Sequence, residues 1–229
     1  MTPPRFPAAP PQTEQILLER TRAIAGLRLA DLADALGEPV PADQRRAKGW
    51  IGQLLEQALG ADATSLPEPD FRQLGVELKS LPLNADGQPR ESTYVCTVPM
   101  NDTHQLGWER SWLRLKLQRV LWVPVEADPD VPFAQRRIGT ALLWSPTAEE
   151  ESLLREDWEE LMELICLGRW EELSARHGQY LQIRPKAAHS RVLTAAHDSD
   201  GNLCQTLPRG FYLRTRFTRR ILEHHYARA

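Results

Sequence analysis

Cysteine and long apolar runs are both scarce in this chain. Its three cysteines, Cys96, Cys166 and Cys204, are isolated, odd in number and include no C-x-x-C pair. That argues against a disulfide framework and against a thiolate zinc site, and leaves three neutral thiols in a reducing compartment. No stretch of about 18 apolar residues exists, so nothing reads as a membrane span. The first residues, MTPPRFPAAPPQTEQ, are proline-rich and lack the apolar segment of a secretory signal. They read as a flexible arm at about 1–11, and the cytoplasm is the expected compartment. An excess of positive charge is also missing: the formal net charge is −3. No internal repeat interrupts the rest.

The charge that is present is unevenly placed. Residues 149–172 hold ten Asp or Glu against two Arg, whereas 209–228 holds six Arg against one Glu. Local basic surface, not the total, governs attraction to phosphate. A solvated acidic helix and a solvated basic helix are the plain alternative. A length of 229 residues allows one large domain or two small lobes.

Periodicity predicts mixed secondary structure. Thr13 is placed to cap a helix with Ile16, Leu17, Ile24 and Leu27 on its apolar side, and Leu29, Leu32, Ala33 and Leu36 keep helical spacing up to Gly37. A second helix follows Gly49, with Ile51, Leu54, Leu55, Ala58 and Leu59 as its stripe and Gly60 as its stop. After a loop with two prolines at 61–70, Val76 and Leu78 alternate with Glu77 and Lys79 as on a strand. Asp86-Gly87 signals a hairpin, with 93–98 as the returning strand. Residues 119–125 read as a buried strand, 148–173 as the longest helix, 180–183 as a short strand and 210–217 as an alternating one. Thr218 is placed to cap a last helix. The fold class is α/β or α+β with a mixed central sheet flanked by helices.

The chemistry concentrates in Asp70-x6-Glu77-x-Lys79. Glu77 and Lys79 lie two apart on a strand and share a face, while Val76 and Leu78 point into the core. The preceding loop can bring Asp70 beside them. Two carboxylates supply hard oxygen ligands for Mg²⁺, and a lysine stabilises developing negative charge or orients the attacking water. A solvent-facing ion pair is the plain alternative for an E-x-K triplet. Glu56, near the end of the preceding helix, could face the strand. Lys116 lies among alternating leucines, on a strand or a short helix, facing away from the core.

The same residues carry a resemblance. The D-x(n)-E-x-K set is similar to the site of the type II restriction-enzyme superfamily, and the chain more closely resembles the MutH family of mismatch-repair nicking endonucleases. The resemblance spans nearly the whole chain, through KGWIGQLLE (48–56), PEPDFRQLGVELKS (67–80), VLWVPVE (120–126), AQRRIG (134–139), LLWSP (142–146), LREDWEELMELI (154–165), RHGQYLQIRPKAA (176–188) and LPRGFYLR (207–214). It implies a restriction-endonuclease-like fold, a single endonuclease domain 1–229 made of lobes at about 1–107 and 108–229 with DNA in a cleft between them. It implies Mg²⁺-dependent nicking of the unmethylated strand at hemimethylated GATC sites, with Mn²⁺ able to substitute and Ca²⁺ binding without turnover. It also implies a monomer activated by MutL, which responds to MutS at a mismatch.

Carried over position by position, Asp70, Glu77 and Lys79 match the catalytic motif, Glu56 an additional acidic residue near the metal, and Lys116 a further active-site lysine. Lys48 and Gly49 match a loop beside DNA. Arg184 and Pro185 match the sequence-reading loop, followed by Lys186. Tyr212 matches a tyrosine that senses adenine methylation. Tyr94 stands where a phenylalanine near the DNA is expected. The N-terminal arm and 195–204 depart from the pattern and carry no role. A stand-alone restriction enzyme cutting both strands at a GATC-like site, usually as a dimer, would use the same chemistry. A catalytically silent DNA-binding module would not need the paired carboxylates.

Overall fold

The computed structural model describes residues 9–42, 49–63, 68–101, 107–186 and 192–226. In chain order its regular elements are α1 (Glu14–Ile24), α2 (Leu29–Leu36), α3 (Trp50–Leu59), β1 (Glu77–Leu83), β2 (Thr93–Thr97), α4 (Trp112–Leu117), β3 (Val120–Glu126), β4 (Leu142–Trp144), α5 (Ala148–Cys166), β5 (Leu181–Pro185), β6 (Thr194–His197), β7 (Leu203–Thr206), β8 (Arg209–Leu213) and α6 (Thr215–Tyr226). The result is a mixed α+β fold of the restriction-endonuclease-like kind, with sheets flanked by helices. No helix among the described residues is long and apolar enough to cross a membrane.

The chain forms two compact units, and each draws on two segments. The first comprises the chain through Glu91 together with Gln118–Ser145; the second comprises Ser92–Leu117 and everything from Pro146 onward. This differs from the contiguous lobes drawn at 107/108. The reason is pairing: β1 finds its partner in β3, and β2 finds its partner in β8.

In the first unit Thr13 caps α1, its hydroxyl accepting the Ile16 N–H. The apolar spacing runs on into α2, but the chain breaks between them and starts a new helix. Gly60 ends α3, donating its N–H to the Glu56 carbonyl. The buried stripes of these helices, Leu17 and Ile24, Leu29 and Leu32, Leu54 and Leu55, form one core with Val76, Leu78, Leu121, Val123 and Val125. Those sheet residues share one face, because β1 and β3 pair in parallel with Leu78 beside Leu121. The sheet order is β1-β3-β4, with β4 antiparallel to β3.

In the second unit β2, β8 and β5 form an antiparallel sheet in that order, and β6 with β7 makes a separate ribbon. The long helix α5 packs on β5. Within it the buried Asp157 accepts backbone N–H groups from Gln179 at 2.6 Å and Leu181 at 2.7 Å, and a third from Tyr180. From the other side Arg214 donates to the carbonyls of Ala175, His177 and Leu181. One segment is thereby held by an anion on its donors and a cation on its acceptors.

Several local expectations change. The chain does turn at 84–87, where Gly87 donates to Asn84, and Arg90 donates to Pro82; residues 93–98, however, do not return along β1 and instead supply β2 of the other sheet. Of the strand or short helix left open around Lys116, residues 112–117 form the helix, and α5 stops at Cys166 rather than 173. Thr218 does not cap a helix; α6 begins at Thr215, and the Thr218 hydroxyl donates back to the Thr215 carbonyl.

Asp157→Ala removes the acceptor for all three N–H groups at the entry to β5, two of them in buried bonds. The expected loss is about 3 kcal/mol in urea unfolding, the cost of stranding buried donors of a charge-assisted network. Asp157→Asn keeps one acceptor oxygen and should lose clearly less. Equal stability of Asp157→Ala and wild type would show that the segment is held without the carboxylate.

Candidate active site

Asp70 reaches Glu77 and Lys79 through a tight turn. Phe71 and Val76 exchange backbone hydrogen bonds across residues 71–76, and Gly75 adopts φ +63°, a conformation that costs a side chain energy. Phe71 is buried and anchors the turn. Along β1 the Glu77 N–H donates to Arg119 on the β3 side. The next N–H, that of Leu78, points off the free edge of this three-stranded sheet, and the Asp70 carboxylate accepts it at 2.7 Å. Asp70 thus satisfies an open edge donor and lies beside the residue between Glu77 and Lys79.

Glu77 and Lys79 do share a face and the Lys79 ammonium donates to the Glu77 carboxylate. That face is not solvated. Glu77 is 1% exposed, and its neighbours on that face, Leu81, Val120 and Trp122, are equally buried. Parallel pairs of this kind are covered on both sides. A solvent-facing ion pair therefore does not describe Glu77; its charge is held inside, with a lysine against it.

The remaining expected active-site residues fall out differently. Glu56 is half-buried on α3. Among the described residues no three His, Cys, Asp or Glu side chains gather into a ready-made metal cage, so Glu56 does not complete one with Asp70 and Glu77. Mg²⁺ is usually held by one or two carboxylates, with waters and substrate phosphates filling its shell. The donor set of Asp70 and Glu77 fits that requirement. Lys116 lies in the second unit on α4 and is buried rather than turned away from the core. Gly49 precedes α3 with φ +89°. Lys48 lies outside the described residues, as does the arm before residue 9.

The second unit assembles the expected recognition residues on one sheet. Arg184 and Pro185 end β5, exposed, opposite Gly210 and Arg209 of β8. Tyr94 of β2 pairs in register with Tyr212 of β8, and their rings meet at 5.4 Å and 63°. The Arg184 guanidinium lies over the Tyr212 ring at 6.0 Å, and the Lys186 ammonium over the Tyr94 ring at 3.3 Å. Two aromatic rings meet across β2 and β8, and each takes a cation from the end of β5 over its π face. Pro185 stands exposed between the two cations in sequence.

The neighbouring arginines take other roles. Arg214 and Arg216 hold the 175–181 segment; Arg216 donates to Gly178 and lies over the Tyr180 ring. Burial, and then the nearby Arg216, pull the Arg214 guanidinium below its ordinary pKa, although Asp157 opposes them; it stays cationic. Arg220 is paired with Glu149 at 3.1 Å, so part of the basic segment is neutralised by the acidic helix. Asp157, Thr97 and Gly210 were not singled out from sequence. Gly210 left a signal, a glycine inside an alternating strand, which marks close approach of another group.

Comparison with known proteins points to one family. A family model described as the DNA mismatch repair enzyme MutH matches residues 59–157. A DNA mismatch repair protein MutH from Vibrio parahaemolyticus is 55% identical over 94% of this chain and 96% of its own length. One from Vibrio cholerae is 54% identical over 95% and 98%, and one from Shewanella amazonensis 56% identical over 93% and 95%.

The buried pair offers a stability test that needs no substrate. Lys79→Ala leaves a nearly buried carboxylate without its lysine and should cost roughly 3 kcal/mol in metal-free urea unfolding. Lys79→Ala combined with Glu77→Gln should lose less than Lys79→Ala alone. Additive losses in the double variant would show that the two side chains are not coupled.

Proposed function

Because the chain belongs to the MutH family of DNA mismatch repair enzymes, DNA endonucleases that hydrolyse phosphodiester bonds, we propose that it nicks the unmethylated strand of hemimethylated GATC sites with Mg²⁺ as cofactor. The observation that carries this reading is the joining of Asp70 to the Leu78 N–H, between Glu77 and Lys79 at the start of β1. Asp70 and Glu77 would hold the metal, with waters and substrate phosphate completing its shell; Glu56, which does not gather with them into a cage, is carried only as the family's additional acidic residue. A bound divalent cation supplies a Lewis acid for the phosphate and lowers the pKa of water. Mn²⁺ substitutes, and Ca²⁺ binds without turnover. Lys79, already held against Glu77, presents its charge to the phosphate oxygens as negative charge develops there or orients the attacking water. Lys116 is carried as a further lysine of the reaction.

Recognition belongs to the second unit. Arg184 reads guanine O6 and N7, Pro185 offers an apolar surface to a thymine methyl or an adenine edge, and Lys186 contacts phosphate. Tyr212 and Tyr94 face the adenine N6 position, where methylation adds bulk and removes a donor hydrogen. Lys48 and Gly49 border the DNA. The enzyme acts as a cytoplasmic monomer, activated by MutL in response to MutS at a mismatch.

The decisive experiment incubates a hemimethylated GATC duplex, each strand labelled separately, with Mg²⁺. Only the unmethylated strand should be cut, and supercoiled plasmid should accumulate nicked circles before any linear form. Asp70→Ala and Glu77→Ala should abolish cutting while duplex binding persists; near-normal nicking by either would remove the site assignment. Arg184→Ala should lose about 1–3 kcal/mol of preference for GATC over other sequences, as for a lost bidentate base contact. Lys186→Ala should weaken binding to every sequence and flatten its salt dependence. An equal loss on specific and random DNA for Arg184→Ala would move that arginine to the phosphates.

A further inference from the structure

Tyr94 owes its position to two features of the sheet. The register of β2 on β8 slips between Tyr94 and Cys96: Tyr94 lies opposite Tyr212, Cys96 opposite Phe211 and Thr97 opposite Gly210. In a regular strand residues three apart face opposite ways. The bulge places Tyr94 and Thr97 on one side, where the Tyr94 hydroxyl and Thr97 Oγ1 share a hydrogen bond of 3.1 Å. The ring therefore lies along its own strand and over Gly210.

Gly210 makes room for it. A Cβ there would stand 2.8 Å from Tyr94 Cε2 and 3.1 Å from Cδ2, and 3.2 Å from Tyr212 Cε2. The first distance is shorter than carbon atoms tolerate without contact. Nothing about the backbone demands glycine, since this position does not have a positive φ. The requirement comes from the two rings, Tyr94 above all. Alanine would push Tyr94 off β8, at the expense of the contacts that pin its ring: Thr97 at the hydroxyl, Tyr212 beside the ring and Lys186 over its face.

We infer that Gly210 is a specificity-determining position, which acts through Tyr94: without a Cβ it seats that ring against Tyr212, and the seated pair sets how sharply methylated adenine is told from unmethylated. Gly210 touches no base and is a positioning residue. The inference rests on the reading that this face of the β2-β8-β5 sheet meets the target adenine. Gly210 also lies opposite Arg184, so the guanine-reading and adenine-reading groups share one small stretch of β8.

The test measures nicking rates on unmethylated, hemimethylated and fully methylated GATC duplexes. Gly210→Ala should change the ratio of unmethylated to hemimethylated rates by at least about fivefold, the low end for one lost base-edge contact. In a Tyr94→Ala background the ring is gone, and adding Gly210→Ala should leave the ratio where Tyr94→Ala put it. Thr97→Val removes the hydroxyl anchor without adding bulk on β8 and should move the ratio in the same direction by less; it carries the test should Gly210→Ala not fold. Unchanged ratios for Gly210→Ala, or for Thr97→Val where Gly210→Ala does not fold, with Tyr94→Ala altered, overturn the role of Gly210 alone. A Gly210→Ala effect that persists at full size without Tyr94 also overturns it. An unchanged ratio for Tyr94→Ala overturns the reading of this face, and the inference with it.

Discussion

A charged carboxylate inside a sheet covered on both faces is the constraint around which the first unit is arranged. Val120, Leu121, Trp122 and Val123 are all buried, so neither side of the β1–β3 pair is wet at that level. Glu77 sits in this environment, where an unpaired charge is costly. Lys79 answers it two residues along the same strand. Asp70 occupies the one direction left open, the free edge of β1, and takes the N–H that the sheet cannot use. The turn at 71–76 exists to put it there, with Phe71 as anchor and Gly75 as hinge. Asp70, Glu77 and Lys79 are thus fixed by backbone pairing rather than carried on a loose loop.

In the second unit Tyr94, Arg184, Pro185 and Tyr212 sit on strands and at strand ends, and their supports are largely electrostatic. Asp157 and Arg214 clamp the residues that lead into β5, and β5 carries Arg184 and Pro185. Tyr94 and Tyr212 are locked by each other, by a bulge and by two cations. The long acidic helix is less a free surface than its charge count suggests, since Glu149, Glu151 and Glu159 each meet an arginine.

Local signals were legible where the physics is local. The Thr13 cap, the α3 stripe with its Gly60 stop, and the strand at Glu77 depend on neighbours within a few residues. The pairing of β2 was not, because its partner β8 lies more than a hundred residues on and the Asp86-Gly87 turn offers a nearer false return. The side of Lys116 was misjudged because alternating leucines suggest that the residue between them faces outward, whereas the short helix these residues form buries it. Asp157 is hidden in a run of acids, where nothing in sequence separates the buried one from its exposed neighbours. Thr218 looked like a cap because its hydroxyl suits either role. That Asp70, Glu77 and Lys79 come together was readable from their spacing, but the burial of Glu77 was not: alternation marks which residues share a face and does not say what covers it.

The interleaved chain also dictates an order of events during synthesis. β1 leaves the ribosome long before β3, and the edge that will pair with it does not exist until residues 120–126 have emerged. A nascent chain ending near Glu91 can form α1, α2 and α3 but has nothing to shield Glu77 from water. The second unit waits longer still, because β8 is both the middle strand of its sheet and nearly the last element made. Long-range closures of this kind slow folding. A chain truncated before β8 would lack the strand that joins β2 to β5, and both would be left as unpaired, adhesive edges.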